Sequence, residues 1–341
     1  MKVLFIGGTG IISSAISKQL INEGCELYLL NRGNHNNVLP KGAINLECDI
    51  NDETKVFEII KDMNFDVVAD FIAFVPSQIE RDYRLFSDKT KQYIFISSAS
   101  VYQKPPSNYI INEGTTLSNP YWDYSMNKIA CEEKLLQMHR KTGFPITIVR
   151  PSHTYSEIYI PLAVHGNNGS WQVIERMLKG KPVIIHGDGT SLWTLTHNSD
   201  FAKAFIGLMS NPHAIGETVH ITSDEVLTWN QIYASIANAL GVTLNSVHIS
   251  SEYLDMCTKG NLKGSLIGDK SNSIVFDNSK IKSLVPNFTA TKRFDQGIKE
   301  TLDYIFAHPE LQIADPEFDK WCDIVISEFD KAIINIKEKL S

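Results

Sequence analysis

The sequence predicts an α/β chain, with a doubly wound parallel sheet followed by a smaller C-terminal α/β domain. Three observations predict it. Short apolar runs alternate with amphipathic segments over the first 150 residues. A glycine-rich turn joins the first run to the first helical pattern. The chain has 341 residues, about twice the length of an average domain.

Val3–Ile6, Glu26–Leu30, Ile44–Glu47, Val67–Phe71, Tyr93–Ser97 and Ile146–Val149 read as strands. Their near-continuous apolar character suits a sheet covered on both faces, and helical patterns such as Ser14–Asn22 and Glu53–Asp62 supply the cover. Right-handed crossovers make such a sheet doubly wound. Beyond Pro151 the expected elements are helices at Trp171–Leu178, Ser199–Met209 and Thr228–Leu240, and strands at Val183–Ile185 and Thr218–Ile221. The tail sets Phe318, Trp321, Val325, Phe329, Ile333, Ile336 and Leu340 at helical spacing, predicting a long packed helix. The expected division is residues 1–165 plus about 195–225 for the first domain, and 166–194 plus 226–341 for the second.

Composition narrows the function classes. Hydrophobic residues at 43% and charged residues at 21% exclude a disordered chain. A net charge of −7 disfavours nucleic-acid binding, which draws on clustered Lys and Arg. Five scattered cysteines with no C-x-x-C pair argue against disulfides and a thiolate metal site, and fit a reducing, cytoplasmic compartment. No apolar run approaches the ~18 residues of a membrane span.

The turn Gly7-Gly8-Thr9-Gly10-Ile11-Ile12-Ser13 follows the first strand and opens the first helix. Gly7 suits a tight turn and Gly10 the close approach of a pyrophosphate. The helix N-terminus adds free N–H groups and partial positive charge. Ser replaces the usual third small residue. The second strand ends at Asn31-Arg32-Gly33 with no acid to accept from a ribose, while Arg32 can face a 2′-phosphate. That tilts the expected cofactor from NAD toward NADP; the other reading of Arg32 is a solvated surface charge. Asp49-Ile50 can frame an adenine, or Asp49 can cap the following helix.

Tyr124-Ser125-Met126-Asn127-Lys128 places a phenol and an ammonium on one helix face. A nearby ammonium favours the phenolate, so the Tyr can exchange a proton near neutral pH. Upstream, Ser97-Ser98-Ala99-Ser100-Val101-Tyr102 ends the fifth strand, where open α/β sheets bind ligands. A Ser hydroxyl there can orient a carbonyl oxygen, or simply serve a turn.

Together the Gly7 loop, the Ser97–Tyr102 segment, Tyr124-x-x-x-Lys128 and Arg150-Pro151 resemble an extended short-chain dehydrogenase/reductase of the NAD-dependent epimerase/dehydratase family. His186-Gly187-Asp188-Gly189, His197-Asn198-Ser199-Asp200 and Phe276-Asp277-Asn278-Ser279-Lys280 add to the resemblance. It implies a Rossmann domain for the dinucleotide and a smaller domain for the substrate. It also implies Ser98, Tyr124 and Lys128 as catalytic residues. Implied cofactor residues are Gly7, Thr9, Gly10, Ile11, Ile12, Asn31, Arg32, Asp49, Ile50, Phe71, Tyr124, Lys128, Pro151 and His153. Implied substrate residues are Ser98, Ser100 and Trp193.

Departures from the family pattern shape the rest. Ala99 and Ser100 stand where dehydratases carry Asp-Glu, so dehydration is not expected. Trp193 stands where nucleotide-sugar enzymes carry an Arg, and His153 where an Asn is usual. Trp193 suits base stacking or core filling; His153 suits a ligand contact or a structural hydrogen bond. The expected function is an NAD(P)-dependent epimerase or reductase acting on a sugar or nucleotide sugar. The alternative is a dinucleotide-binding regulatory or RNA-binding protein without turnover, since Asp70-Phe71-Ile72-Ala73-Phe74 and Asn31-Arg32-Gly33 also resemble the branch holding plant chloroplast stem-loop RNA-binding proteins. The resemblance also implies a homodimer, formed through two helices next to the Tyr124 helix, with apolar residues for it at Cys131–Met138.

Overall fold

The structure is a computed structural model describing residues 1–33, 39–258 and 260–341. It divides into two compact units. The first holds Met1–Thr154, Thr194–Asp224 and Phe276–Thr291; the second holds Tyr155–Trp193, Glu225–Val275 and Lys292–Ser341.

The first unit is built on seven parallel strands: β1 (Lys2–Ile6), β2 (Glu26–Asn31), β3 (Ile44–Glu47), β4 (Val67–Asp70), β5 (Tyr93–Ile96), β6 (Ile146–Pro151) and β7 (Thr218–Ile221). Their order is β7-β6-β5-β4-β1-β2-β3, so the winding reverses between β1 and β4. The alternation of side chains explains the continuous apolar runs. Val3, Phe5, Leu27, Leu29, Val67 and Ala69 join one core with Ile16, Leu20, Phe201 and Phe205. Leu4, Ile6, Leu30 and Val68 join the opposite core with Val56, Ile60, Ile79, Leu85, Cys131 and Leu135. Helices α1 (Ile11–Asn22) and α5 (Asn198–Leu208) cover the first face. Helices α2 (Glu53–Ile60), α3 (Pro76–Phe86) and α4 (Asp123–Thr142) cover the second. Pro76 opens α3 at a position where its missing N–H costs nothing, and the Gln78 side chain accepts from the N–H groups of Phe74 and Val75.

Cys131 and Leu135 are fully buried against the sheet, and Leu136 and Met138 pack on the same core. They do not form the outward face expected of a dimer helix. These apolar residues mark the side of α4 that covers the sheet.

The second unit pairs strand Val183–His186 in parallel with Ser246–Ile249, and Leu192–Trp193 antiparallel with Leu227–Thr228. Its main helices are Trp171–Leu178, Trp229–Leu240, Phe294–Ala307 and Pro316–Leu340. The unit boundaries differ from those expected. Residues 155–165 belong to the second unit, and 276–291 return to the first. Asn278 explains the return: its side chain accepts from Thr222 Oγ1 at 2.8 Å and donates to Asp224 at 2.9 Å, just past β7. These partners lie more than 50 residues upstream, beyond the reach of local pattern.

Candidate active site

The carboxyl end of β1 runs into the glycine turn. Gly7 and Gly8 have φ of +93° and +111°, in the region that favours glycine. A Cβ on Gly8 would meet Leu29 Cδ2 at 2.7 Å, so this glycine, given no role by the motif, is as constrained as Gly7. Gly10 is different: the nearest atom to a Cβ there is Ser13 Oγ at 3.6 Å, leaving the open side a phosphate needs. The Gly10 N–H donates to Ser13 Oγ at 2.9 Å, so the serine at the third motif position closes the loop on itself. Asn198 Nδ2 donates to the Ile11 carbonyl at 3.1 Å, a positioning contact from α5 that the motif alone does not show.

A cavity of about 440 Å³ opens here, lined by Gly7, Thr9, Asn31, Arg32, Asp49 and Ile50, all expected cofactor residues. Phe74, Gln78 and Arg81 also line it and were missed, because they come from the turn after β4 and from α3. Gly10, Ile11, Ile12, Phe71, Pro151 and His153 are not among its described lining residues. Phe71 packs between Phe5 and Phe205, with ring centroids 4.9 and 5.9 Å away. Pro151 is the buried last residue of β6, and half-buried His153 opens a short strand beyond it. The glycine conformations, the helix N-terminus and this cavity together fit a dinucleotide.

At the rim, Arg32 is exposed. Asn31 accepts from Gly33 N–H at 2.8 Å and donates to Asn45 at 2.9 Å. A Cβ on Gly33 would fall 2.7 Å from the carboxyl carbon of Glu47, so β3 brings an acid to this turn where β2 has none. The cap of α2 is Asp52, which accepts from Lys55 N–H at 3.1 Å. Asp49 is therefore not the cap; it accepts from the backbone and side chain of Asn51 at 2.9 and 3.0 Å.

A buried charge cluster backs the cavity. Asp70 accepts from the N–H groups of Ile72 and Ala73 at 2.6 and 2.9 Å and shapes the turn carrying Phe74. Arg81 lies 3.6 Å from Asp70, donates to Asp82 at 2.8 Å and reaches Asn51 at 2.8 Å. Burial, reinforced by Asp70, raises the Asp82 carboxyl well above the usual range, and Tyr93 Oη donates to it at 2.6 Å.

Lys128 is 2% exposed. Its Nζ donates to the carbonyls of Ala73 and Ile96, both at 2.7 Å, and sits over the rings of Phe74, Phe95 and Tyr124 at 4.6, 4.7 and 5.8 Å. Burial lowers its pKa to about 8, with Asp70 opposing. One turn on, Glu132 takes a bidentate pair from Arg150, at 2.9 and 2.5 Å, and a bond from Ser97 Oγ at 2.5 Å.

Ser98 Oγ accepts from Ser100 N–H at 3.2 Å and meets Ser100 Oγ at 2.9 Å. Ser125 Oγ donates to Ser100 Oγ at 2.7 Å, and Asn119 donates to the Ser100 carbonyl at 2.8 Å. Since Ser100 accepts from Ser125, its own proton can go to Ser98, an arrangement that frees the Ser98 proton for a ligand. Ser100, expected as a substrate residue, is only 4% exposed and is held among Ser98, Asn119 and Ser125, so its place is that of a support for Ser98. Trp193 is buried in the second unit with its ring 5.6 Å from Trp229, the core-filling alternative.

Among the described residues no group of three His, Cys, Asp or Glu is arranged to hold a metal, and no helix is long and apolar enough to cross a membrane.

A dinucleotide cradle beside a Ser, Tyr and Lys set defines the class, an enzyme on a Rossmann domain. The chain belongs to the NAD-dependent epimerase/dehydratase family, whose model matches residues 3–222. It is 23% identical over 256 residues to 2′-dehydrokanamycin reductase of Streptomyces kanamyceticus, covering 74% of this chain and 70% of that one. It is 29% identical over 215 residues to the uncharacterized UDP-glucose epimerase YtcB of Bacillus subtilis, covering 62% and 60%. It is 28% identical over 255 residues to a chloroplast stem-loop binding protein of Arabidopsis thaliana, covering 70% and 63%. Among solved structures, the UDP-glucuronic acid 4-epimerase of Bacillus cereus matches with a TM-score of 0.71 at 20% identity, covering 90% of this chain and 99% of that one.

Proposed function

We propose that this enzyme is an epimerase or reductase acting at a hydroxyl- or carbonyl-bearing carbon of a sugar or nucleotide sugar. The observation that carries the reading is Lys128, clamped beside Tyr124 by the carbonyl of Ala73 in the turn after β4 and that of Ile96 at the end of β5, with Ser98 two residues further on. Bound NAD or NADP supplies hydride exchange with the substrate carbon. Gly7, Thr9, Asn31, Arg32, Asp49 and Ile50 hold it. Tyr124 gives or takes the proton at the substrate oxygen, Lys128 holds positive charge beside it, and Ser98 donates to the same oxygen. The names of the reductase and epimerase relatives support sugar chemistry. Five free cysteines support a reducing cytoplasm.

Arg32 in the cavity lining supports a preference for NADP, moderated by the Glu47 carboxylate at Gly33. Fluorescence titration with NADPH and NADH measures that preference, and Arg32→Glu is expected to move it toward NADH by about tenfold. The main test is Tyr124→Phe, assayed against a panel of nucleotide sugars and free sugars. Cofactor affinity should survive while turnover falls by ~10²–10⁴. Cofactor binding with no turnover on any substrate, together with RNA binding that weakens with salt, would sink the reading in favour of the non-catalytic alternative.

A further inference from the structure

The helix Pro316–Leu340 has two unlike halves. In the first, Phe318, Cys322, Val325 and Ile326 are buried, and Arg176 is pinned by Asp319 and Asp323 at 2.6 and 2.8 Å. Residues 330–341 are exposed throughout. The expected packing therefore covers only half the helix. Phe329 is half-buried with its ring 6.1 Å from that of Tyr253, while Ile333, Ile336 and Leu340 are 38%, 58% and 84% exposed. Phe329, Ile333, Ile336 and Leu340 are spaced four, three and four apart, the seam of a two-stranded coiled coil. A helical extension of this length is marginal in water without a partner.

We propose that this segment pairs antiparallel with the same segment of a second copy of the chain. Set antiparallel, Phe329 meets Leu340 of the second copy and Ile333 meets its Ile336, and two-fold symmetry repeats both contacts. The same register brings Asp330 alongside Lys337 of the second copy, again twice. Neither residue has an ion pair among the described residues. A parallel pairing would instead set Asp330 against Val325 and Lys337 against Ala332, giving no complementary charges. The mixed signs of the flanking residues also suit a protein partner better than an anionic membrane.

Sedimentation equilibrium of the full chain from about 1 to 100 μM tests this. The wild type should double in mass with concentration. Ile333→Asp with Ile336→Asp should abolish that doubling while leaving NADPH affinity and the far-UV spectrum unchanged. Asp330→Lys alone should weaken association about fivefold, and Asp330→Lys with Lys337→Asp should restore it. A wild type that never doubles, a doubling unaffected by the isoleucine changes, or a charge swap that fails to restore association would each overturn the proposal.

Discussion

Helix α4 carries two buried charges one turn apart and treats them in opposite ways. Glu132 meets a guanidinium in bidentate geometry, with a serine hydroxyl completing its shell. Lys128 is given two neutral carbonyls and aromatic faces, with no ion pair to a carboxylate among the described residues. A charge that locks α4 to β6 is fully paired. The charge proposed to serve the chemistry is left with only enough support to remain buried, and burial loosens its proton.

The largest break in this contrast should come from Glu132→Leu, which strands the Arg150 guanidinium in the interior. A loss of about 3–5 kcal/mol is expected in chemical denaturation. Lys128 should give the next effect, with the opposite sense. Its lowered pKa means the folded state binds fewer protons than the unfolded state between pH 8 and about 10.5. The burden of a buried ammonium is fully present below pH 8 and disappears as pH rises through that window. Measured against Lys128→Met, the wild type should gain up to about 3 kcal/mol across it. The variant itself should fold as well as the wild type at pH 7 and lose turnover by about 10²-fold or more. Equal alkaline profiles for the two proteins would show that Lys128 is not the titrating group. The smallest effect belongs to Ser125→Ala, which removes the hydroxyl donating to Ser100. A cost of about 1 kcal/mol in thermal unfolding is expected, with a modest fall in turnover as Ser98 loses its orientation.

Much of this was legible in the sequence because it is local. The glycine turn, Tyr124 with Lys128, and the six expected strands of the sheet all show within a few residues. The lysine's partners do not. Ala73 and Ile96 contribute backbone oxygens, which carry no residue signature, and they meet Lys128 only because β4 and β5 are neighbours. Glu132 and Arg150 are 18 positions apart and paired by the packing of α4 on β6. Arg81 and Gln78 reach the cavity from a helix not singled out in the sequence, and Glu47 replaces an acid sought one strand earlier. Trp193 shows the limit from the other side: its place in a motif suggested a ligand, while its surroundings make it part of the interior.

The clamp on Lys128 also has an arithmetic of its own. An ammonium carries three N–H bonds, and the two carbonyls occupy two of them. A neutral amine still has two to give. The lysine can therefore surrender one proton without releasing either carbonyl. What remains for a ligand is a single hydrogen, offered from a fixed point and removable near pH 8.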